Sequence, residues 1–405
     1  MKKYWMKGLP AITSVALLMF FSGCENDEFV NKKITEYENK FTEAFGNIDP
    51  SHDWSMATHV TADIDLSKAP EGTYEVKIFS MNPKDGGYLL KRAILNGSTQ
   101  LHFDAIKGED YVRIQAQNTS DTNIVALNGY YPVENGIVST NNGGTTYPFD
   151  TETNNGNSSP NPNYSLSTSL TSKNSTVQVS HTIKKANSVD AYQMSWVVAC
   201  EVWDASYDFD FNDIVFDLIL VDNATASVEK SELYLRPLAA GFTKKAYIYY
   251  DKNDDGFFIE DEKIGEIHNM LMNGAPSSVH INVGGSWDVD PSKNEPIKLA
   301  DIDLSYYEST TTGTDNTKAF ITHELSKFKI IVDNEGQQEA TEITAPRKDG
   351  TNIPQMLILP RGWDWPNETV SMLKVYPGFI NWVQDKKRND WISTLKGRYH
   401  TNPMK

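Results

Sequence analysis

A chain of 405 residues has room for two or three domains, each large enough for its own core. Its 54 acidic residues outnumber 37 basic ones, for a formal charge of −17, and no Lys/Arg-rich block stands out, which argues against nucleic acid as a partner. Apolar content of 39% with 11% aromatics is the composition of folded material, not of a disordered chain.

The first 23 residues read as a targeting segment. Lys2, Lys3 and Lys7 form a positive start, and residues 11–21 form an apolar stretch too short to span a bilayer. It ends in Phe21-Ser-Gly-Cys24, which resembles a lipobox, so Cys24 is expected to be the lipidated first residue of the mature chain. The acidic Glu25-Asn-Asp-Glu28 that follows looks like a tether for display outside the cell. The expected location is the outer membrane, lipid-anchored and facing outward. With Cys24 acylated, Cys200 has no disulfide partner and reads as a buried, inert thiol.

Residues 24–57 are expected to hold the tether and an amphipathic helix. Ile34, Tyr37, Phe41 and Phe45 recur at helical spacing, and Gly46 supplies the stop. His52 and Asp53 stand side by side in the sequence and read as a turn cap, not a catalytic pair. Residues 58–137 show short strands with turn signals, including Tyr74–Phe79, a turn at 82–87, a strand at 88–95 and a hairpin signal at Asn96-Gly97. Their spacing predicts a small antiparallel β-sandwich. Residues 138–185 are dominated by Asn, Gly, Ser and Thr and read as a linker or a long loop. Residues 186–405 form a second strand-rich domain, with strands expected at 231–236, 245–250, 279–283, 328–332 and 356–359, and short helices after Pro366 and at 379–383. The predicted fold is mostly β: two antiparallel sandwich-like domains joined by a polar linker, with an N-terminal helix and short C-terminal helices.

The chemistry concentrates in the second domain. In the stretch from Glu201 to Asp217, Asp208, Asp210 and Asn212 alternate with Phe209 and Phe211, so an extended backbone would put their oxygens on one face. Asp213 follows directly, Asp204 and Asp217 flank the group, and no Lys, Arg or His lies between 201 and 221. Crowded carboxylates repel unless a cation compensates, and Ca²⁺ prefers such an oxygen shell, so Asp204, Asp208, Asp210, Asn212 and Asp213 are candidate ligands. A second stretch, from Asp251 to Glu262, meets every fixed position of the calcium-loop pattern D-x-[DN]-x-[DN]-G-x₅-E. Asp251, Asn253, Asp255 and Glu262 would ligate through side chains and Phe257 through its carbonyl, with Gly256 at the sharp turn. The preceding residues 246–250 are strand-like, so this is a calcium loop on a β-scaffold, unlike an EF-hand. Solvated turns are the plain alternative for both stretches. Trp363, Trp365 and Trp382 form a possible ligand platform if exposed and a packing clamp if buried.

The stretch from Trp203 through Val215 resembles the D-Y-D-F-N-D signature of the LruC-type domain, a domain of unknown function in surface lipoproteins of Bacteroidetes-type bacteria. Residues 359–368 and 375–382 resemble its C-terminal blocks, and the likeness spans about residues 190–395. It departs at Cys200, Val202 and Trp203; the acidic residue the pattern carries at 202 is missing, and Asp204 is its nearest replacement.

No nucleophile elbow, zinc-protease motif, phosphate loop or dinucleotide fingerprint occurs. The expected function is therefore a non-catalytic, calcium-stabilised surface lipoprotein for adhesion or for capture of a glycan or surface protein. The alternative is a carbohydrate-active enzyme using acids of the 204–217 cluster.

Overall fold

The computed structural model describes residues 23–81, 87–141, 144, 192–202, 207–222, 231–256, 258–283, 294–302, 320–333, 341–345 and 352–402. The signal segment, the 82–86 turn, most of the polar linker, Asp204 and Phe257 lie outside the described residues. The chain opens with α1 (Gly23–Phe45) and continues through β1 (Ala57–Ile64), β2 (Tyr74–Phe79), β3 (Leu89–Leu95), β4 (Thr99–Ile106), β5 (Tyr111–Asn118), β6 (Val125–Pro132) and β7 (Ile137–Ser139). It then runs through β8 (Tyr192–Cys200), β9 (Ile214–Asp222), β10 (Ser231–Ala240), β11 (Lys245–Tyr250), β12 (Lys263–Glu266), α2 (Ile267–Leu271), β13 (Ile281–Asn282) and β14 (Ile297–Ile302). The last elements are α3 (Phe320–Leu325), β15 (Phe328–Asp333), β16 (Thr341–Thr344), β17 (Met356–Pro360), β18 (Trp365–Pro366), α4 (Met372–Val375), α5 (Phe379–Gln384) and β19 (Tyr399–His400). The molecule is mostly β, as the strand patterning requires.

Two sheets, β4-β1-β7 and β3-β2-β5-β6, face each other across a core that includes Val60, Val76, Ile78, Phe103 and Ile114. Strands β1 and β7 pair in parallel, while the other pairs in these two sheets are antiparallel. Asn96-Gly97 is not a hairpin turn. β3 pairs with β2 and β4 with β1, so this dipeptide carries the chain from one sheet to the other. A tight turn with both central residues left-handed occurs instead at Asn135 (φ 54°) and Gly136 (φ 75°), where Glu134 bridges Ile137.

A larger sheet runs β13-β10-β9-β8-β17, with β14 also on β10, and a four-stranded sheet runs β12-β11-β15-β16. β8 and β9 are central and buried, which explains the apolar runs Trp196–Cys200, Ile214–Phe216 and Leu218–Val221, whereas β11 alternates as a half-covered strand should. Pro237 sits where the β9–β10 register shifts, a bulge that tolerates its missing N–H.

The helical periodicity of α1 is realised: Tyr37, Phe41 and Phe45 are fully buried, and Gly46 (φ 79°) ends the helix with its N–H on the Thr42 carbonyl. These rings pack on the larger core. All three surround Phe209, at ring-centroid distances of 5.4, 5.3 and 5.5 Å. The 52–56 segment enters beside β17, with Met56 N–H on the Ile358 carbonyl and Ile358 N–H on the Trp54 carbonyl. From the smaller sandwich, Asp104 accepts the N–H groups of Phe320 and Ile321 at 2.9 Å each, tying β4 to α3.

His52 and Asp53 do not pair. The His52 Nε2–H faces the Trp382 carbonyl at 2.9 Å, Nδ1 accepts the Trp54 N–H at 3.0 Å, and Asp53 bonds Lys107. Cys200 is buried, and burial raises its thiol pKa, as an inert thiol requires.

Truncating one of the three rings around Phe209, Phe41→Ala, is expected to lower stability in urea titration by about 3–5 kcal/mol, with the m-value little changed. Burial pulls His52 from 6.5 down to about 4. The folded chain therefore binds fewer protons than the unfolded chain in that window, and this stabilisation, present above pH 6.5, fades as pH falls towards 4. The stability advantage of wild type over His52→Gln should shrink by roughly 1–3 kcal/mol between pH 7 and pH 4; a constant difference would contradict the neutral, buried ring.

Candidate metal centre

Glu201 follows the last residue of β8, and Asp213 precedes the first of β9, so two adjacent strands deliver two acids to one end of the sheet. The intervening loop is not the extended strand that the alternation predicts. Tyr207, Phe209 and Phe211 take left-handed φ values of 44°, 50° and 53°. Such a conformation costs a bulky residue roughly 1–2 kcal/mol. Every second residue being turned this way aims the Phe209 and Phe211 N–H groups at one point, the carboxylate of Glu201, at 3.2 and 2.9 Å. Burial of Phe209 and Phe211 among the rings of α1 and α5 offsets the strain.

The oxygens then gather where the rings are not. One ligand atom each from Glu201, Asp208 and Asp210 lies within 4.8 Å of the others. Oxygens sharing one Ca²⁺ can be at most about 5 Å apart, so the group fits a single ion. Glu201 and Asp210 are 2% and 1% exposed. Burial raises the Glu201 pKa, and Asp213, Asp210 and Asp208 raise it further. Asp210 is pushed up to about 9, first by burial and then by Asp208, Asp213 and Glu368. A divalent cation would reverse this preference for the protonated form.

The rest of the loop is fastened to the C-terminal segment. Asp210 accepts the Thr369 N–H at 2.9 Å, Asn212 Nδ2 donates to Asp210 and to the Pro366 carbonyl, and the Phe209 carbonyl accepts the Met372 N–H. Asn212 Oδ1 is buried and accepts no hydrogen bond. A Cβ added to Gly241 would come within 2.2 Å of this oxygen and 2.9 Å of Glu368 Oε2, so glycine preserves the space beside both. An uncommitted buried oxygen next to clustered carboxylates suits a hard cation.

Of the predicted ligands, Asp208, Asp210 and Asn212 meet here. Asp213 instead holds the Val202 N–H through Oδ2 at 2.5 Å, closing the strand end. Asp217 leaves the group altogether: it lies opposite Arg236 across β9–β10, 3.8 Å from its guanidinium. Asp204 lies outside the described residues. Sequence reasoning passed over Glu201 and Glu368 as contributors. Glu201, an acid closing a buried apolar strand, was the available signal; Glu368 lies 158 positions beyond Asp210 (368 − 210) and had none.

The second candidate is a β-hairpin loop, since β11 and β12 pair antiparallel on either side of it. Asp251 and Glu262 turn inward, each 3% exposed. Asp251 accepts the N–H groups of Asn253, Asp255 and Gly256, and Glu262 accepts from Lys252, Ile259 and the Asn253 amide. Asp254 (φ 56°) faces His323 and Lys327 at 3.8 Å. Neutral loop donors thus solvate these carboxylates in place, and among the described residues they are not drawn into a group as tight as that of Glu201. Phe257 lies outside the described residues.

The tryptophan platform is not present at the surface. Trp363, Trp365 and Trp382 are at most 2% exposed; Trp382 stacks on Trp391 at 5.3 Å and Trp363 on Tyr376 at 5.8 Å. They clamp the C-terminal segment onto the core, because rings this large find more contact there than in water.

No family model matches the chain, and no curated protein matches it, so the LruC-type likeness rests on the motifs alone. A solved structure, the "Putative lipoprotein from Bacteroides ovatus", is similar over 81% of this chain and 99% of its own, at 13% identity and a TM-score of 0.33. A likeness of that size settles neither fold nor function.

Gly241→Ala should cost about 1–3 kcal/mol in chemical denaturation by driving Cβ into Asn212; unchanged stability would show that the space beside Asn212 Oδ1 can yield.

Proposed function

We propose that this chain is a lipid-anchored surface protein of LruC type, non-catalytic, whose core is stapled by a divalent cation and whose outer surface captures a protein partner. The observation that supports it most is the convergence of Glu201, Asp208 and Asp210 on one point, with further carboxylates as the strongest charged neighbours of Glu201 and Asp210. Those three residues hold the ion, Asn212 Oδ1 adds an uncharged oxygen, and the all-oxygen shell favours Ca²⁺. The ion joins strand ends β8 and β9 through Glu201 and Asp210 to the 366–372 segment, so its role is structural. The 251–262 loop is a second, weaker calcium site in this reading.

Lipid at Cys24 supplies the membrane attachment, and no helix among the described residues is long and apolar enough to cross a membrane. Burial of the tryptophans moves the reading from glycan stacking towards a protein partner. Glycoside hydrolysis requires two carboxyl groups facing a bound sugar, and the near-complete burial of Glu201 and Asp210 favours the structural role instead.

The test is thermal unfolding of the chain from Glu25 in EDTA and in millimolar Ca²⁺ or Mg²⁺. At a hundredfold excess over Kd, bound Ca²⁺ adds about 2.7 kcal/mol, an upward shift of several degrees. Asp210→Asn should remove most of the rise, and Asp251→Ala a smaller share. No rise with either cation, and no metal in elemental analysis, would overturn the proposal.

A further inference from the structure

The acidic loop and the N-terminal helix meet at one residue, Phe209. Asp208 and Asp210 lie on either side of it in the sequence, and three rings of α1 surround it in space. The contacts of α1 differ along its length. Phe45 also packs on Phe379 at 5.4 Å and Phe41 on Trp54 at 5.7 Å, both outside the acidic loop. Tyr37 leans on the loop's own rings, Phe209 at 5.4 Å and Tyr207 at 6.4 Å, and donates its hydroxyl to the Pro354 carbonyl. Thr35 and Glu36, just before it, are exposed. The end of the helix that carries Cys24 is thus docked through the same loop that gathers the carboxylates.

We propose that α1 is a cation-dependent strap, a reading that rests on an ion held by Glu201, Asp208 and Asp210. With the ion bound, the carboxylates stay together, the left-handed turns at Tyr207, Phe209 and Phe211 persist, and Phe209 stays among the three rings. Without it, repulsion among the acids and relief of the left-handed strain both favour straightening the loop. Straightening turns Phe209 out together with its acidic neighbours, and Tyr37 loses the surface it packs on. Phe45 keeps Phe379, so the helix lifts from the Cys24 end. A helical end freed of its packing is marginal in water. From Cys24 to Tyr37 the chain spans about 20 Å as a helix and about 45 Å when extended, so the ion sets how closely the core is held to its anchor.

Hydrogen–deuterium exchange of the chain from Glu25, in EDTA and in millimolar Ca²⁺, reads the strap. Equilibrium dialysis of the Asp251→Ala chain against Ca²⁺ reads binding at the Glu201 group separately. In EDTA the 34–41 amides should exchange at least about tenfold faster than those of β9, by local opening, and Ca²⁺ should slow them about tenfold. Asp210→Asn should abolish that slowing, and Asp251→Ala should leave it within about twofold. Coupling is reciprocal, so Tyr37→Leu in the Asp251→Ala chain should weaken Ca²⁺ binding by about threefold or more. Calcium bound in dialysis with unchanged 34–41 exchange, or slowing that survives Asp210→Asn, would overturn the strap while the dialysis result still speaks for the ion. No calcium bound in dialysis would overturn both.

Discussion

One buried carboxylate organises the second half of this molecule. Glu201 sits at the end of β8 and receives two N–H groups from a loop bent into left-handed conformations at three aromatic residues. That bend does two things together. It sends Phe209 and Phe211 into the aromatic packing of α1 and α5, and it gathers Asp208 and Asp210 beside Glu201. The aromatic half of the motif gains from burial, while the acidic half accumulates repulsion in a place where desolvation magnifies it. Backbone donors relieve Glu201 and Asp210 only in part.

The same loop explains why distant parts of the chain belong together. Helix α1 wraps Phe209 with three rings, Tyr37 anchors its hydroxyl on the Pro354 carbonyl, and the 366–372 segment answers Asp210, Asn212 and Phe209 with three hydrogen bonds. The chain on either side of that segment carries the buried tryptophans Trp363, Trp365, Trp382 and Trp391. The N-terminal helix, the acidic loop and the tryptophan-rich segment are therefore one packed unit built around a single hub. The smaller sandwich attaches through Asp104, which burial raises to about 7 while the Phe320 and Ile321 N–H groups oppose that rise.

Much of this was legible from periodicity. The i, i+3, i+7, i+11 apolar series gave the helix its buried face, and the calcium-loop spacing fell on a hairpin with strands on both sides. Other features were not legible, for physical reasons. Alternation of acids and phenylalanines has the period of a strand, yet left-handed φ at every second residue also separates the two kinds of side chain, and no local rule distinguishes them. Asn96-Gly97 looked like a hairpin because turn chemistry is local, whereas strand partners are chosen by the whole sheet. Asp217 looked like part of the acidic group until Arg236, on the neighbouring strand, came opposite it. The contribution of Glu368 depended on a segment far away in the chain, which spacing cannot report.

The central claim is that a divalent cation sits between Glu201, Asp208 and Asp210. Its most direct test is a crystal structure of the chain grown with Ca²⁺, with anomalous scattering recorded at long wavelength. The account predicts a calcium peak about 2.3–2.6 Å from an oxygen of each of the three residues, with Asn212 Oδ1 turned towards it. A calcium peak confined to the 251–262 loop, or none at all with the three carboxylates placed as they are here, would contradict it.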